Sequence, residues 1–486
     1  MHFLDILIFG VYMVVMLGVG FFFLRRNKDA EDYYVGGRSM GSLHVGMSVV
    51  ATDVGGGFSI GLGGLGFTMG ISGSWMLFTG LIGAWLSAVV LIPRVFEVLG
   101  KKKLFTFPEL FGHFYSKRVA LLAGIISAIG YIGFTASQLL AGAKLAAATF
   151  IDLNLETALI IMGAVAVIYT VMGGLKAVIY TDTIQWIILI AGLVFIGIPF
   201  SYHAIGGMEA IRNTVSADFL KFNNVSWQTL VNWGITIIPI WFVGMTLYQR
   251  IYASRTKKHA QRAWFIAGLF EWPVMAMMGV ILGLFSRVAA DSGMFGYIGI
   301  GGIGEMDAEM GLPLLLRNIL PVGLMGLMMS AYFSAIMSTA DSCLMAASGN
   351  LQTDIIEKLF KTSIEDKKRL RTSQILTLVI GVLAMLIASG MENVLQLMLY
   401  SYAFMVSGLF VPILGAFFWK KGTSAAAFWA MLAGGTTTLL LTLLKVPLPF
   451  GLDANIFGIL TSAFIFITVS RLQPQQQVTP AAATIK

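Results

Sequence analysis

Apolar residues occur along the chain in blocks of roughly 20, the length an α-helix needs to cross a hydrocarbon core about 30 Å thick. The blocks fall near 3–24, 45–70, 72–98, 119–151, 155–173, 180–200, 230–253, 263–287, 312–349, 373–391, 394–419, 423–444 and 451–470. About thirteen transmembrane helices are therefore expected. Polar stretches between them reach only about 30 residues, too short for an inserted soluble domain. The pattern predicts a single all-α membrane domain over 1–473 and a flexible polar tail over 474–486. The first block lacks the basic start and small-residue cleavage site of a removable signal peptide, so it is expected to stay as a span.

Two blocks are interrupted near their middles. In "ATDVGGG" the second block carries the carboxylate of Asp53 and then Gly55, Gly56 and Gly57. An unpaired acid at mid-membrane costs about 2.5–3.5 kcal/mol on insertion scales, and each glycine adds roughly 1 kcal/mol of helix penalty. The seventh block is interrupted by Pro239 and Gly244 in "IIPIWFVGMTLYQR". The interruptions are five spans apart. Paired broken helices in corresponding positions point to an inverted repeat with a binding site at the midplane. Repeat one would cover 45–200 and repeat two 230–419, with an extra helix at 3–24 before them and additional helices at 423–470 after them.

Composition agrees with a membrane location, since 57% of residues are hydrophobic, 12% are charged and the mean hydropathy is +0.84. The net charge of +8 alone would suggest a polyanionic partner. Its distribution argues against nucleic acid. Basic residues cluster after every second span: Arg25, Arg26, Lys28 and Arg38; Lys101, Lys102, Lys103, Lys117 and Arg118; Arg255, Lys257, Lys258 and Arg262; Lys358 to Arg371; Lys420 and Lys421. By the positive-inside rule the N-terminus is expected outside and the C-terminus in the cytoplasm. Cys343 is the single cysteine and the five histidines are scattered, so neither a disulfide framework nor a His/Cys metal site is indicated. No hydrolase triad is evident, and the glycines at 55–57 lack the strand and acidic ribose partner of a dinucleotide fingerprint. An enzyme is therefore not expected. A channel would also line a pore with polar groups, but it has no need of paired broken helices.

Within span nine, "SAYFSAIMSTADSCLMAASGN" sets Ala335, Ser338, Thr339, Asp341 and Ser342 within two turns. Residues three and four apart share a helical face, so the hydroxyls can offer oxygens to a hard cation or bond back to their own helix. Asp182, between Thr181 and Thr183 in "GGLKAVIYTDTIQW", can pair with a nearby base such as Lys176 or ligate an ion. Glu271 and Lys144 are further intramembrane charges that can pair with each other.

Taken together, "AEDYYVGGRSMG", "ATDVGGG", "GGLKAVIYTDTIQ", "YQRIYAS", "SAIMSTADS" and "FVPILGAFFWKKG" resemble the sodium/solute symporter family, whose members take up proline, sugars, sialic acid, pantothenate or choline; the resemblance runs from about residue 5 to 470. It implies the leucine-transporter fold, a five-plus-five inverted repeat with an extra N-terminal helix, and sodium as coupling ion with no other cofactor. It implies a sodium site at the backbone carbonyls of Ala51, Val54 and Ala335 and the hydroxyls of Ser338 and Thr339. A second sodium would be held by Asp182, Ser338 and Ser342, with Asp341 adding an acid. The family's use of spans two, four, seven and eleven makes Asp53, Gln138, Trp241 and Tyr402 the solute contacts. Asp53 matches an aspartate of the proline symporters, and its role, serving sodium or holding an amine of the solute, stays open. Where choline carriers have an aromatic ahead of "QR", this chain has Gly244, which argues against an aromatic choline cage. The function implied is sodium-coupled secondary active import of a small polar organic solute (amino acid, organic cation, carboxylate or sugar) by alternating access. The other reading is a cation- or proton-coupled transporter or channel of different mechanism. The expected setting is a lipid bilayer, the plasma membrane and for a bacterium the inner membrane.

Overall fold

The computed structural model describes residues 2–24, 35–150, 153–360 and 366–473. Arg25, Arg26, Lys28, the "AEDYY" that opens the first motif, Lys361 and the tail at 474–486 lie outside the described residues. Among those described, regular structure is helical, with one isolated parallel bridge between Met40 and Ser254. The principal helices are α1 (Phe3–Leu24), α2 (Ser42–Met69), α3 (Trp75–Leu86, continued by Ile92–Leu99) and α4 (Lys117–Thr149). They are followed by α5 (Leu155–Met172), α6 (Val178–Ala204), α7 (Trp227–Val243 with Met245–Ala253) and α8 (Lys257–Asp291). The remainder are α9 (Leu324–Gly349), α10 (Asp366–Ala388), α11 (Val394–Phe418), α12 (Ser424–Leu443) and α13 (Ala454–Leu472).

By length and composition, 9 described helices can cross a membrane, or 10 if the bent pair in α7 is one span. The expected thirteen exceeds that number by α1, the first half of α2, and α9. α9 fails on composition because its polar face of Ser, Thr and Asp dilutes its apolar residues. From Met328 to Gly349 every residue of α9 is buried, which makes it the central helix. It packs against α2, α4, α5 and α1. The outer helices turn large apolar side chains outward, among them Leu386, Leu443 and Phe464. Outside a bilayer such a surface would be costly, at about 25 cal/mol per Å² of apolar area.

Both expected interruptions are present. In α2, Gly55 leaves helical geometry at φ 43°, ψ 179°. In α7 the two segments meet at 42° around Gly244. Further irregularities are not legible in the sequence: among the described residues π-bulges occur in α3 at Ser87–Leu91, in α6 at Leu193–Gly197, in α8 at Phe270–Met275, where Trp272 is extended, and directly after α9 at Asn350–Ile356. Bulges of this kind inside helices recur at functional sites. α1 docks on α9 through Asp5, whose Oδ1 accepts the N–H groups of Gly323 at 2.7 Å and Gly326 at 2.9 Å. Those N–H groups at a helix start have no intrahelical partner. Farther along, Tyr12 donates to Ser334.

Candidate ion and solute site

The break in α2 lies directly against α9. Thr339 Oγ1 donates to the Ala51 carbonyl at 2.8 Å and approaches the Ala335 carbonyl at 3.3 Å. A Cβ at position 55 would overlap Thr339 Oγ1, so glycine is needed both for its positive φ and for the close approach. Ala51, Ala335 and Thr339 of the expected sodium set are thus brought together. Val54, whose side chain lies outside the described ones, immediately precedes the break. Ser338, three residues before Asp341 on the same helix, donates to Asp182 of α6.

Asp182 is the centre of a wholly buried polar network. Ser48 of α2 donates to its Oδ2 at 2.5 Å, and Arg250 Nη2 of α7 stands 3.9 Å from the same atom. Arg250 also donates to Ser48 Oγ at 3.2 Å and to Ser342 Oγ at 2.6 Å. Ser342 in turn donates to the Ser338 carbonyl at 3.0 Å and lies 3.2 Å from Thr52 Oγ1. Four helices, α2, α6, α7 and α9, converge here. The base that pairs with Asp182 is Arg250, and not the Lys176 considered from sequence, whose side chain lies outside the described ones. Asp182, Ser338 and Ser342 share one network, whereas Asp341 accepts from Thr170 of α5 through Oδ1, and among the described residues its Oδ2 has no hydrogen-bond partner. Arg250, Ser48 and Thr52 were not singled out in sequence. The "YQR" motif was the available signal, but nothing in it says that the arginine points inward.

The expected pairing of Lys144 with Glu271 does not occur. Lys144 Nζ is 2.6 Å from Asp307 Oδ2 and 2.7 Å from Glu309 Oε2, both in the connection between α8 and α9. Glu309 also accepts from the first N–H groups of α11, Val394 and Leu395, each at 3.0 Å. One buried lysine thereby ties α4 to a loop acid that caps α11, an arrangement with a charge on both sides of each bond.

Three of the four expected solute contacts, Asp53, Trp241 and Tyr402, are buried, on α2, α7 and α11. Asp53 is buried and faces Glu271 of α8 closely enough for the carboxyls to interact. Trp241 is fully buried, meets Trp264 edge to face at 6.3 Å, and packs on Gly83 of α3. Tyr402 is buried and packs edge to face on Phe134 at 4.9 Å. Gln138 is set differently. It borders a void of about 10 Å³ whose other lining residues come from α4, α5 and α9, among them Met162, Phe333 and Ala340. None of them belongs to α2, α7 or α11. Tyr131, a neighbour on α4 not singled out before, bonds Thr246 at 3.0 Å, just past the break in α7.

Two helices broken at mid-membrane, packed around a buried polar centre, define a secondary transporter of the leucine-transporter type. The chain belongs to the sodium:solute symporter family, whose profile matches residues 33–434. Over 436 residues it is 28% identical to a high-affinity proline transporter of Bacillus subtilis, covering 87% of this chain and 89% of that one. It is 24% identical over 501 residues to a sodium/glucose cotransporter of Vibrio parahaemolyticus, covering 97% and 90%. Its fold is that of a solved sodium-coupled sialic acid symporter, captured outward-open with substrate, at a TM-score of 0.80, 22% identity and coverage of 97% and 98%. The chain is a multi-pass membrane protein and a sodium-coupled symporter, not an enzyme.

Proposed function

We propose that this symporter imports a small polar organic solute by alternating access, with sodium held between the broken α2 and the central α9. The observation that carries the reading is the contact of Thr339 Oγ1 with the Ala51 carbonyl at 2.8 Å beside the break at Gly55. An intact helix would commit the carbonyls of Ala51 and Val54 to its own N–H groups, and the unwound turn frees them for a cation. Ala51, Val54, Ala335, Ser338 and Thr339 form the first sodium site. Asp182, Ser338 and Ser342 form a second, joined by Asp341 through a rotation away from Thr170. Arg250 beside Asp182 is a fixed cation, so the second sodium enters only as Arg250 yields its contacts. Asp53, Trp241 and Tyr402 contact the solute, whereas Gln138 borders a separate void between α4, α5 and α9 and is left out of that set. The relatives named above carry proline and glucose, which supports a small polar organic solute without choosing one. The repeats run over 45–200 and 230–419 within one domain of 1–473. The alternation of basic loops supports a plasma-membrane protein with its N-terminus outside and C-terminus in the cytoplasm.

The test is uptake into proteoliposomes of labelled amino acids, amines, sugars and carboxylates under an inward sodium gradient. Accumulation of at least one solute is expected with sodium outside and none with potassium. Uptake that is equal in potassium, or driven by a proton gradient alone, refutes the reading.

A further inference from the structure

Glu271 is fully buried, and among the described residues its carboxyl meets no hydrogen-bonding partner other than the facing carboxyl of Asp53. Asp53 faces it from α2 within hydrogen-bonding reach, and among the described residues its Oδ2 meets no base. A lone acid at this depth already costs about 2.5–3.5 kcal/mol on insertion scales, and a second one beside it adds repulsion. Among the described residues the buried bases are engaged elsewhere: Arg250 with Ser48, Ser342 and Asp182, and Lys144 with Asp307 and Glu309. Space has been left for the acid. A Cβ at Gly80 of α3 would overlap Glu271 Oε2, and a Cβ at Gly83 would overlap the Trp241 ring. Residues three apart share a helical face, so these two glycines seat the carboxylate and the indole side by side. Tyr402 of α11 is buried and packs edge to face on Phe134 of α4. The bulge at Phe270–Met275 interrupts α8 where Glu271 sits.

When both carboxyls are ionised they accept hydrogen bonds and cannot donate them, so a solute group that fits between them has positive charge and N–H donors. A quaternary ammonium has the charge but no donors. From this we infer that the solute carries a primary or secondary ammonium or a guanidinium, held between Asp53 and Glu271 with Trp241 and Tyr402 beside it. The inference rests on the reading that this face of α2 is the solute site, and it assigns Asp53 to the solute in preference to sodium. The aromatic neighbours exclude water, which strengthens each charge-assisted bond, and they favour a cation at their faces.

The experiment measures melting temperature of the purified full-length protein, with sodium and with potassium, against L-lysine, L-proline and putrescine. Choline, D-glucose and pyruvate serve as probes lacking N–H cations. At least one of the first three should stabilise the protein in sodium, and none of the second three. Glu271→Gln should weaken that probe by about thirtyfold, the loss of one charge-assisted bond at depth. Glutamine keeps a donor, so it imitates an acid that merely shares a proton with Asp53; wild-type affinity in this variant overturns the inference. Gly80→Ala, which displaces the Glu271 carboxylate without removing it, should weaken the same probe and guards against a folding defect in the first variant. Sodium stabilisation with no response to any of the three amines overturns the amine assignment while leaving sodium coupling intact. Loss of the sodium response in Glu271→Gln with amine affinity unchanged shows a third cation site instead. No sodium response in the wild type contradicts the sodium sites.

Discussion

At the scale of single residues, the account turns on Gly55. Its φ of 43° lies in the left-handed region that other residues enter at a cost of about 1–3 kcal/mol when held there. Its missing side chain lets the broken backbone touch Thr339. Gly55→Ala should therefore lower the melting temperature by several degrees and weaken sodium binding more than it weakens the fold. Gly10→Ala and Gly18→Ala, at positions where a Cβ meets nothing within 4 Å, should leave both unchanged. Equal behaviour of the three variants would show that the close approach is unimportant. The glycine was legible from sequence because three in a row in an apolar span have a penalty that something must offset. The partners of charged residues were not. Lys144 and Glu271 invited pairing as the two most visible intramembrane charges, yet Lys144 reaches a loop between α8 and α9. Arg250 reads as the polar end of a span, yet it is fully buried against Asp182. Which way a side chain points around a helix depends on packing across the bundle, and helical periodicity on one strand of sequence does not carry that information.

At the scale of elements, helix positions follow from apolar length, and breaks follow from glycine and proline. α2 and α7 bend where their glycines fall, at Gly55 and Gly244. The bulges in α3 and α8 have a weaker signature: Pro273 alone sits in one, and Ser87–Leu91 contains neither glycine nor proline. α9 is too polar to score as a span, for the same reason that it is central. Its Ser and Thr face other helices and never meet lipid. The direction in which the elements cross follows from charge outside them, since a basic loop is retained in the cytoplasm at a cost in reversing it. A reporter fused near Gly302, in the connection between α8 and α9, should be external, and one fused after Arg471 cytoplasmic. The opposite labelling would invert the assigned direction of transport.

At the scale of the whole molecule, one buried polar centre joins the broken helices to the central one, and in the proposed mechanism it opens alternately to either side. The Lys144, Asp307 and Glu309 cluster ties the α8–α9 connection to α4 and α11, and the Arg250 and Asp182 network ties α7 to α2, α6 and α9. Both are closed in this structure. A membrane potential of 100 mV contributes about 2.3 kcal/mol per charge, so one sodium per cycle sustains roughly fiftyfold accumulation of a neutral solute, and two would square it. That coupling requires sodium to bind where the broken helix meets the central one. Equilibrium binding of radioactive sodium to purified wild-type, Ser338→Ala and Thr339→Ala proteins tests this without knowledge of the solute. The account predicts that Thr339→Ala, which removes one of about five ligands, weakens sodium binding severalfold or more while the fold is retained; unchanged sodium binding in both variants would contradict it.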